Sequence, residues 1–101
     1  MLTYDMANLT KMKAMAEAAP DVMAAFKAFD KAAFAEGALT VKVKELIAIA
    51  VAVTTQCPYC IEIHSKRAKQ AGATDAEITE AAMVAAAIRA GGAVTHATHA
   101  L

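Results

Sequence analysis

Val41-Lys42-Val43-Lys44-Glu45-Leu46-Ile47-Ala48-Ile49-Ala50-Val51-Ala52-Val53-Thr54 reads as either of two elements, and the choice decides the fold. Val41, Val43, Ile47, Ile49, Val51 and Val53 alternate with lysine or alanine over much of the stretch, the period of a half-buried strand. As a helix, the same stretch is apolar nearly all round after Glu45, the mark of a buried helix. Fourteen residues is long for a strand, and the intervening alanines favour helix. Thr40 offers an N-cap immediately before Val41. Helix is therefore the preferred reading.

The residues just after Thr54 give the choice its consequence. Cys57-Pro58-Tyr59-Cys60 holds the only two cysteines of the chain, and His64 stands four residues further on. A strand entering Cys57 would make a thioredoxin-like domain; a helix makes something else. If the segment from Pro58 is helical, three positions bring the cysteine Cα atoms to roughly 5 Å, inside the disulfide range. Cys60 and His64 then share one helix face. The helix start lowers the pKa of a thiol at Cys57, whereas a neighbouring imidazole favours Cys60 as the thiolate. Spacing alone leaves open which of the two attacks first.

Helix punctuation continues outward on both sides. Upstream, a weakly amphipathic segment over about residues 5–18 carries Met6, Leu9, Met12 and Ala16 on one face. Pro20 and Asp21 suit the first turn of a second helix, which carries Val22, Phe26, Phe29 and Ala33 and ends near Gly37. Downstream, the motif helix runs from Pro58 to Ala71 and stops at Gly72. Thr74-Asp75-Ala76-Glu77 is a capping box opening a fifth helix to about Ala90. There Ile78, Ala82, Ala85 and Arg89 share one side, and Ala81, Val84 and Ile88 form an adjoining stripe. Gly91-Gly92 is expected to break or bend this helix, leaving a short last one. The expectation is a single all-α domain over residues 1–101, with five or six helices and the two cysteines at the start of one.

Composition bounds the function. Hydrophobic residues make up 58% of the 101 residues but aromatics only 5%, with no tryptophan, so the core rests largely on alanine and is thin. Chains this small bury only about 60–65% of their unfolded surface, so self-association is the expected remedy. Ten basic and ten acidic residues cancel, and no basic stripe points to nucleic acid or anionic lipid. No uninterrupted apolar run is longer than Leu46 to Val53, which is far short of the roughly 20 residues of a membrane span. The start Met1-Leu2-Thr3-Tyr4-Asp5 lacks the pattern of a signal peptide. A cytoplasmic location is expected, where a close dithiol is more often catalytic or metal-binding than structural.

Glu45 is the third chemical element. It is a lone carboxylate with no other charge until Glu62. Facing a packed interior it needs a hydrogen-bonding partner, and His64 would satisfy it while being oriented by it. Alternatively it lies in a solvated first turn beside Lys42 and Lys44, complementing the helix dipole.

Glu45, then Cys57-x-x-Cys60, then His64, a Gly-terminated helix and a capped alanine-rich helix together resemble the AhpD-like alkylhydroperoxidase core within the carboxymuconolactone decarboxylase family. The resemblance spans about Val41 to Ala90. It implies an all-helical subunit that assembles as a homotrimer or homohexamer, with no cofactor and no metal. It implies a thiol peroxidase in which Cys60 attacks the peroxide, Cys57 resolves the product as a Cys57–Cys60 disulfide, and Glu45 and His64 relay protons. A dithiol reductant of lipoyl or thioredoxin type is the implied partner. Tyr59 stands where well-studied members carry a histidine, which removes one relay candidate. Decarboxylase members lack the dithiol, so lactone decarboxylation is not expected.

Three other readings compete. Cys-Pro-Tyr-Cys is also a glutaredoxin active-site string, but that fold needs later strands and a cis-proline loop, and the only prolines here are Pro20 and Pro58. Cys57, Cys60, His64 and Glu45 have the donor types for zinc, although structural zinc sites usually bring two ligand pairs on separate elements. A non-catalytic or redox-sensing oligomer, or a general disulfide reductase, is the remaining alternative. Among weaker candidates, Tyr59 is a possible accessory residue shaping access to the thiols. His96 is another, three residues before His99, though an exposed or interfacial tail explains that pair as well.

Overall fold

A computed structural model describes residues 4–101, so Met1, Leu2 and Thr3 of the segment compared with a signal peptide lie outside the described residues. Helices account for nearly all of it, and no strand occurs among the described residues. Five α-helices run in order: α1 (Met12–Ala18), α2 (Pro20–Phe34), α3 (Val41–Thr55), α4 (Pro58–Gln70) and α5 (Asp75–Ala97), with 3-10 turns at Met6–Lys11 and Thr98–Ala100. The chain gathers into two compact units, one ending at Ala38 and one spanning Leu39–Leu101.

In the first unit, the segment expected to be one helix from residue 5 is a 3-10 helix for its first half. Asp5 caps it by accepting from the Ala7 amide at 2.9 Å, and the Thr10 hydroxyl donates to the Ala7 carbonyl at 2.8 Å. Such local side-chain bonds compete with the α-helical ladder and favour tighter turns. Ala19 breaks the chain between α1 and α2 at φ −138°, ψ 69°, because the residue before a proline is disfavoured in helical geometry. Neither helix contains a buried residue. Met12, Met15, Val22, Met23 and Phe26 line an apolar groove of about 380 Å³ where α1 and α2 meet.

The second unit holds the core. Thr40 caps α3, its hydroxyl accepting from the Val43 amide at 3.2 Å. The residues that α3 buries are Glu45, Ile49 and Ala52, spaced four and three apart. That is helical periodicity, and it resolves the alternating pattern: Ile49 is 2% exposed whereas Val51, two residues on, is 54% exposed. α3 packs against both α4 and α5. Ile49, Ala68 and Ala73 form the buried centre, with Leu46, Val53 and Ile78 packed around them. Ala68 is fully buried, so small side chains let the helices approach closely and leave little area for a larger core.

Two element boundaries carry information. Gly72 ends α4 at φ +94°, as a left-handed terminator requires. Gly91-Gly92, by contrast, do not break the helix: α5 runs uninterrupted to Ala97. Glycine costs about 1 kcal/mol per position in a helix but blocks no backbone hydrogen bond, so alanine on both sides carries the ladder through. The resulting α5 segment, Asp75–Ala100, is long and apolar enough to cross a membrane by length and composition. It contains no long uninterrupted apolar run, because Arg89, Thr95 and His96 divide the stretch.

Candidate functional site

Helix α3 ends at Gln56, whose φ of 57° and ψ of 47° put a non-glycine residue in the left-handed region. That turn is closed by the Cys57 amide donating to the Ala52 carbonyl at 3.0 Å. The chain thereby reverses at once into α4, with Pro58 in its first turn and Cys57 as its N-cap. Nothing in local propensity announced this; a glutamine is an uncommon occupant of such geometry, which costs on the order of 1–2 kcal/mol. Its consequence is positional. The end of α3 and the start of α4 meet at Cys57.

Cys57 and Cys60 are free thiols, half-buried, with Sγ atoms 3.1 Å apart. A disulfide bond is about 2.0 Å long, so the sulfurs sit within a small side-chain rotation of bonding. They share one hydrogen bond. The thiol of Cys60, then its backbone amide, hold the Cys57 pKa below the ordinary thiol value; burial opposes this and the Tyr59 amide adds to it. The same shared bond raises Cys60, reinforced by burial and by the negative charge on Cys57. Amides at the start of a helix stabilise a thiolate, whereas a sulfur one turn inside lacks them. Cys57 is therefore the more acidic thiol of the pair.

Glu45 is buried, not solvated. Its Oε2 lies 2.6 Å from His64 Nδ1, and the two side chains are 4% and 13% exposed. The solvated alternative fails because Glu45 falls on the one face of α3 that meets its neighbours. Lys42, which that alternative placed beside Glu45, pairs at 2.8 Å with Glu77 on α5. The carboxylate fixes Nδ1 of the imidazole and with it the orientation of the ring. On α4 the order Cys57, Cys60, His64 is a continuous helical progression, so the imidazole stands one turn from Cys60.

Tyr59 is half-buried within the first turn of α4. His96 lies near the end of α5, where its ring centroid is 5.5 Å from that of His99. Both histidines are exposed. Among the described residues, no group of three or more histidine, cysteine, aspartate or glutamate side chains gathers as a metal site. Two features escaped sequence reasoning: the Gln56 turn and the Lys42–Glu77 tie. The second had a signal, since Glu77 is the third helical residue of a capping box and Lys42 lies in the first turn of α3.

Known proteins share both the sequence and the fold. The family model for the carboxymuconolactone decarboxylase family matches residues 20–101. A Paracoccus denitrificans protein described as uncharacterized protein 4 in the cox locus is 56% identical over 77 residues, 76% of this chain and 69% of that protein. A Cupriavidus necator protein is 35% identical over 88 residues, 87% of this chain and 78% of the relative. The crystal structure of a Methanobacterium thermoautotrophicum protein superposes with a TM-score of 0.80 at 41% identity, covering 86% of this chain and 98% of that one.

Proposed function

This chain belongs to the carboxymuconolactone decarboxylase family, and from that membership we propose that it is a thiol-dependent peroxidase of the alkylhydroperoxidase kind. The observation that carries the reading is the buried Glu45–His64 pair at 2.6 Å, whose histidine lies on the helix that bears two thiols 3.1 Å apart. A purely structural pair of this kind offers little stability for its burial. Its value is chemical.

In the proposed cycle Cys60, whose thiol is the less acidic of the two, depends on His64 as general base: His64 accepts the Cys60 proton, and the Cys60 thiolate attacks one peroxide oxygen. The O–O bond breaks, the leaving oxygen takes a proton from His64 and departs as alcohol or water, and Cys60 becomes a sulfenic acid. Cys57 attacks that sulfur; the S–O bond breaks, hydroxide leaves and is protonated to water, and the disulfide forms. The net change converts two thiols and one peroxide into a disulfide, an alcohol and water. Exchange with an external dithiol of lipoyl or thioredoxin type restores both thiols. The family resemblance brings with it assembly as trimers or hexamers.

The test is peroxide consumption with dithiothreitol or dihydrolipoamide as reductant. Cys60→Ser abolishes turnover, and Glu45→Gln or His64→Ala lowers it by about 10²–10⁴-fold. Tyr59→His, which restores the residue type of well-studied relatives, raises it. Undiminished turnover in Cys60→Ser overturns the attack role.

A second reading is supported by the acidity of Cys57. A thiolate at the helix start is suited to open a disulfide substrate, with Cys60 then releasing the mixed disulfide. Reduction of a model disulfide that depends on Cys57, together with no peroxide turnover under any reductant, selects this reading.

A further inference from the structure

The dithiol is a pair of soft donors without a hard donor set around it. Cys57 and Cys60 are half-buried free thiols whose Sγ atoms lie 3.1 Å apart. The carboxylate and imidazole of the same site are engaged with each other, Glu45 Oε2 to His64 Nδ1 at 2.6 Å. Among the described residues, no group of three or more histidine, cysteine, aspartate or glutamate side chains is placed to hold a metal ion. Zinc takes four protein ligands in structural sites and three in catalytic ones, so two thiols fall short of it. Calcium and magnesium require oxygen ligands, which the pair does not offer. Cu(I) is different. Thiolate sulfur is the ligand type that suits it, and two thiolates on opposite sides complete its shell.

The frame around the sulfurs suits that ion in two further ways. The first is placement. Cys57 is the N-cap of α4 and Cys60 lies in its first turn, so both side chains leave the same end of one helix. The Ile61 amide donates to the Cys57 carbonyl at 3.0 Å, which ties the backbone at Cys57 into that helix. Sulfurs 3.1 Å apart are too close to share an ion. The side-chain rotation that closes a disulfide, run in the opposite sense, opens the pair around one. The second is charge. Two thiolates around a monovalent cation keep one net negative charge, whereas around a divalent cation they keep none. α4 is 13 residues long, carries no acidic side chain in its first turn, and has no side-chain hydrogen bond capping it at Cys57. The positive end of the helix therefore meets the anionic complex directly and favours it.

We propose that Cys57 and Cys60 form a binding site for a soft monovalent cation, Cu(I), held between the two sulfurs as thiolates. Each thiol gives up its proton to become a ligand, and no oxidation state changes. The ion occupies the sulfurs that disulfide chemistry needs, so a loaded chain is closed to peroxide and to dithiols alike. The site stands on the thiol pair itself and holds whether or not the dithiol reduces peroxide.

Transfer of Cu(I) from its coloured bicinchoninate complex to the reduced full-length protein, without air and with ascorbate present, tests it. The wild type takes up a single Cu(I) per chain, and the loaded chain resists alkylation of both cysteines by iodoacetamide. Cys57→Ser and Cys60→Ser each weaken binding by more than the roughly 10–100-fold that loss of a merely supporting residue costs, with helical circular dichroism retained. His96→Ala combined with His99→Ala leaves binding unchanged, which separates the dithiol from the exposed histidine pair. Zn(II) offered as its zincon complex stays with zincon. A wild type that draws no Cu(I) from bicinchoninate overturns the proposal, as does binding that survives undiminished in either cysteine variant. A chain that strips Zn(II) as readily overturns the assignment to a soft monovalent ion. No peroxide enters the assay, so its outcome is independent of the peroxidase test.

Discussion

Helix α3 begins with two polar contacts that look alike and do different things. Glu45 reaches His64 on α4 at 2.6 Å, and Lys42 reaches Glu77 on α5 at 2.8 Å. Each ties α3 to a neighbouring helix through one carboxylate. The difference is water: the carboxylate side chain is 4% exposed at Glu45 and 34% at Glu77. A carboxylate out of water depends wholly on its partner, whereas an exposed one trades its partner for solvent at little cost. The buried pair is thus sensitive to the loss of either partner, and the exposed one is a fastening.

Breaking the buried pair has the largest expected effect. His64→Ala leaves the Glu45 carboxylate buried without its partner and lowers unfolding free energy by about 3 kcal/mol, measured by urea denaturation. Glu45→Ala also leaves one partner stranded, and a double-mutant cycle between the two positions shows strong coupling; additive losses would mean that the buried pair is no more than a fastening like the exposed one. Glu45→Gln sharpens the separation between stability and chemistry. It keeps a hydrogen-bonding side chain of the same size, so the denaturation midpoint moves far less than in Glu45→Ala while peroxide turnover still collapses.

On the exposed side the effects shrink. Thr74→Ala removes the hydroxyl that accepts the Glu77 amide at 3.1 Å and costs about 1 kcal/mol, read from the same denaturation curves. Glu77→Gln is milder still and its effect is pH-dependent. Lys42, followed by the Thr74 amide, holds the Glu77 carboxyl below its ordinary value in the folded chain. A depressed carboxyl contributes stability that is present above its unfolded pKa and is lost as pH falls through the folded one. Wild type and Glu77→Gln therefore differ at neutral pH and converge on acidification, and added salt narrows the gap at neutral pH. A difference that persists below the folded pKa would show that the tie acts through packing rather than charge. Gln56→Gly is the smallest change expected: release of the left-handed strain is nearly offset by the added freedom of the unfolded chain, leaving stability within a few tenths of a kcal/mol.

Much of the molecule was legible from short-range signals. Thr40, Gly72 and the Thr74–Glu77 box each mark a helix end through hydrogen bonds to groups only a few residues away, and Pro58 marks one through its fixed φ. The grouping of Cys57, Cys60 and His64 needed nothing beyond the helical period once Pro58 was placed at N1. The expected break at Gly91-Gly92 was wrong for a related reason: glycine lowers helix propensity without forbidding it, and only proline removes the amide and collides with the preceding turn.

The role open to Glu45 was not legible in this way. Its neighbours Lys42 and Lys44 are compatible with a solvated first turn, and the alternation of Ile47, Ile49, Val51 and Val53 fits a strand as well as a helix. Which side of α3 goes inward depends on where α4 and α5 press against it, and His64 lies 19 residues from Glu45 along the chain. Cys57, Cys60 and His64 are held together by bonds along a single helix, so the order of residues suffices to place them. The Glu45–His64 pair and the outward placing of Ile47 and Val51 exist only because three helices pack at particular rotations, and burial is a property of that packing rather than of any one segment.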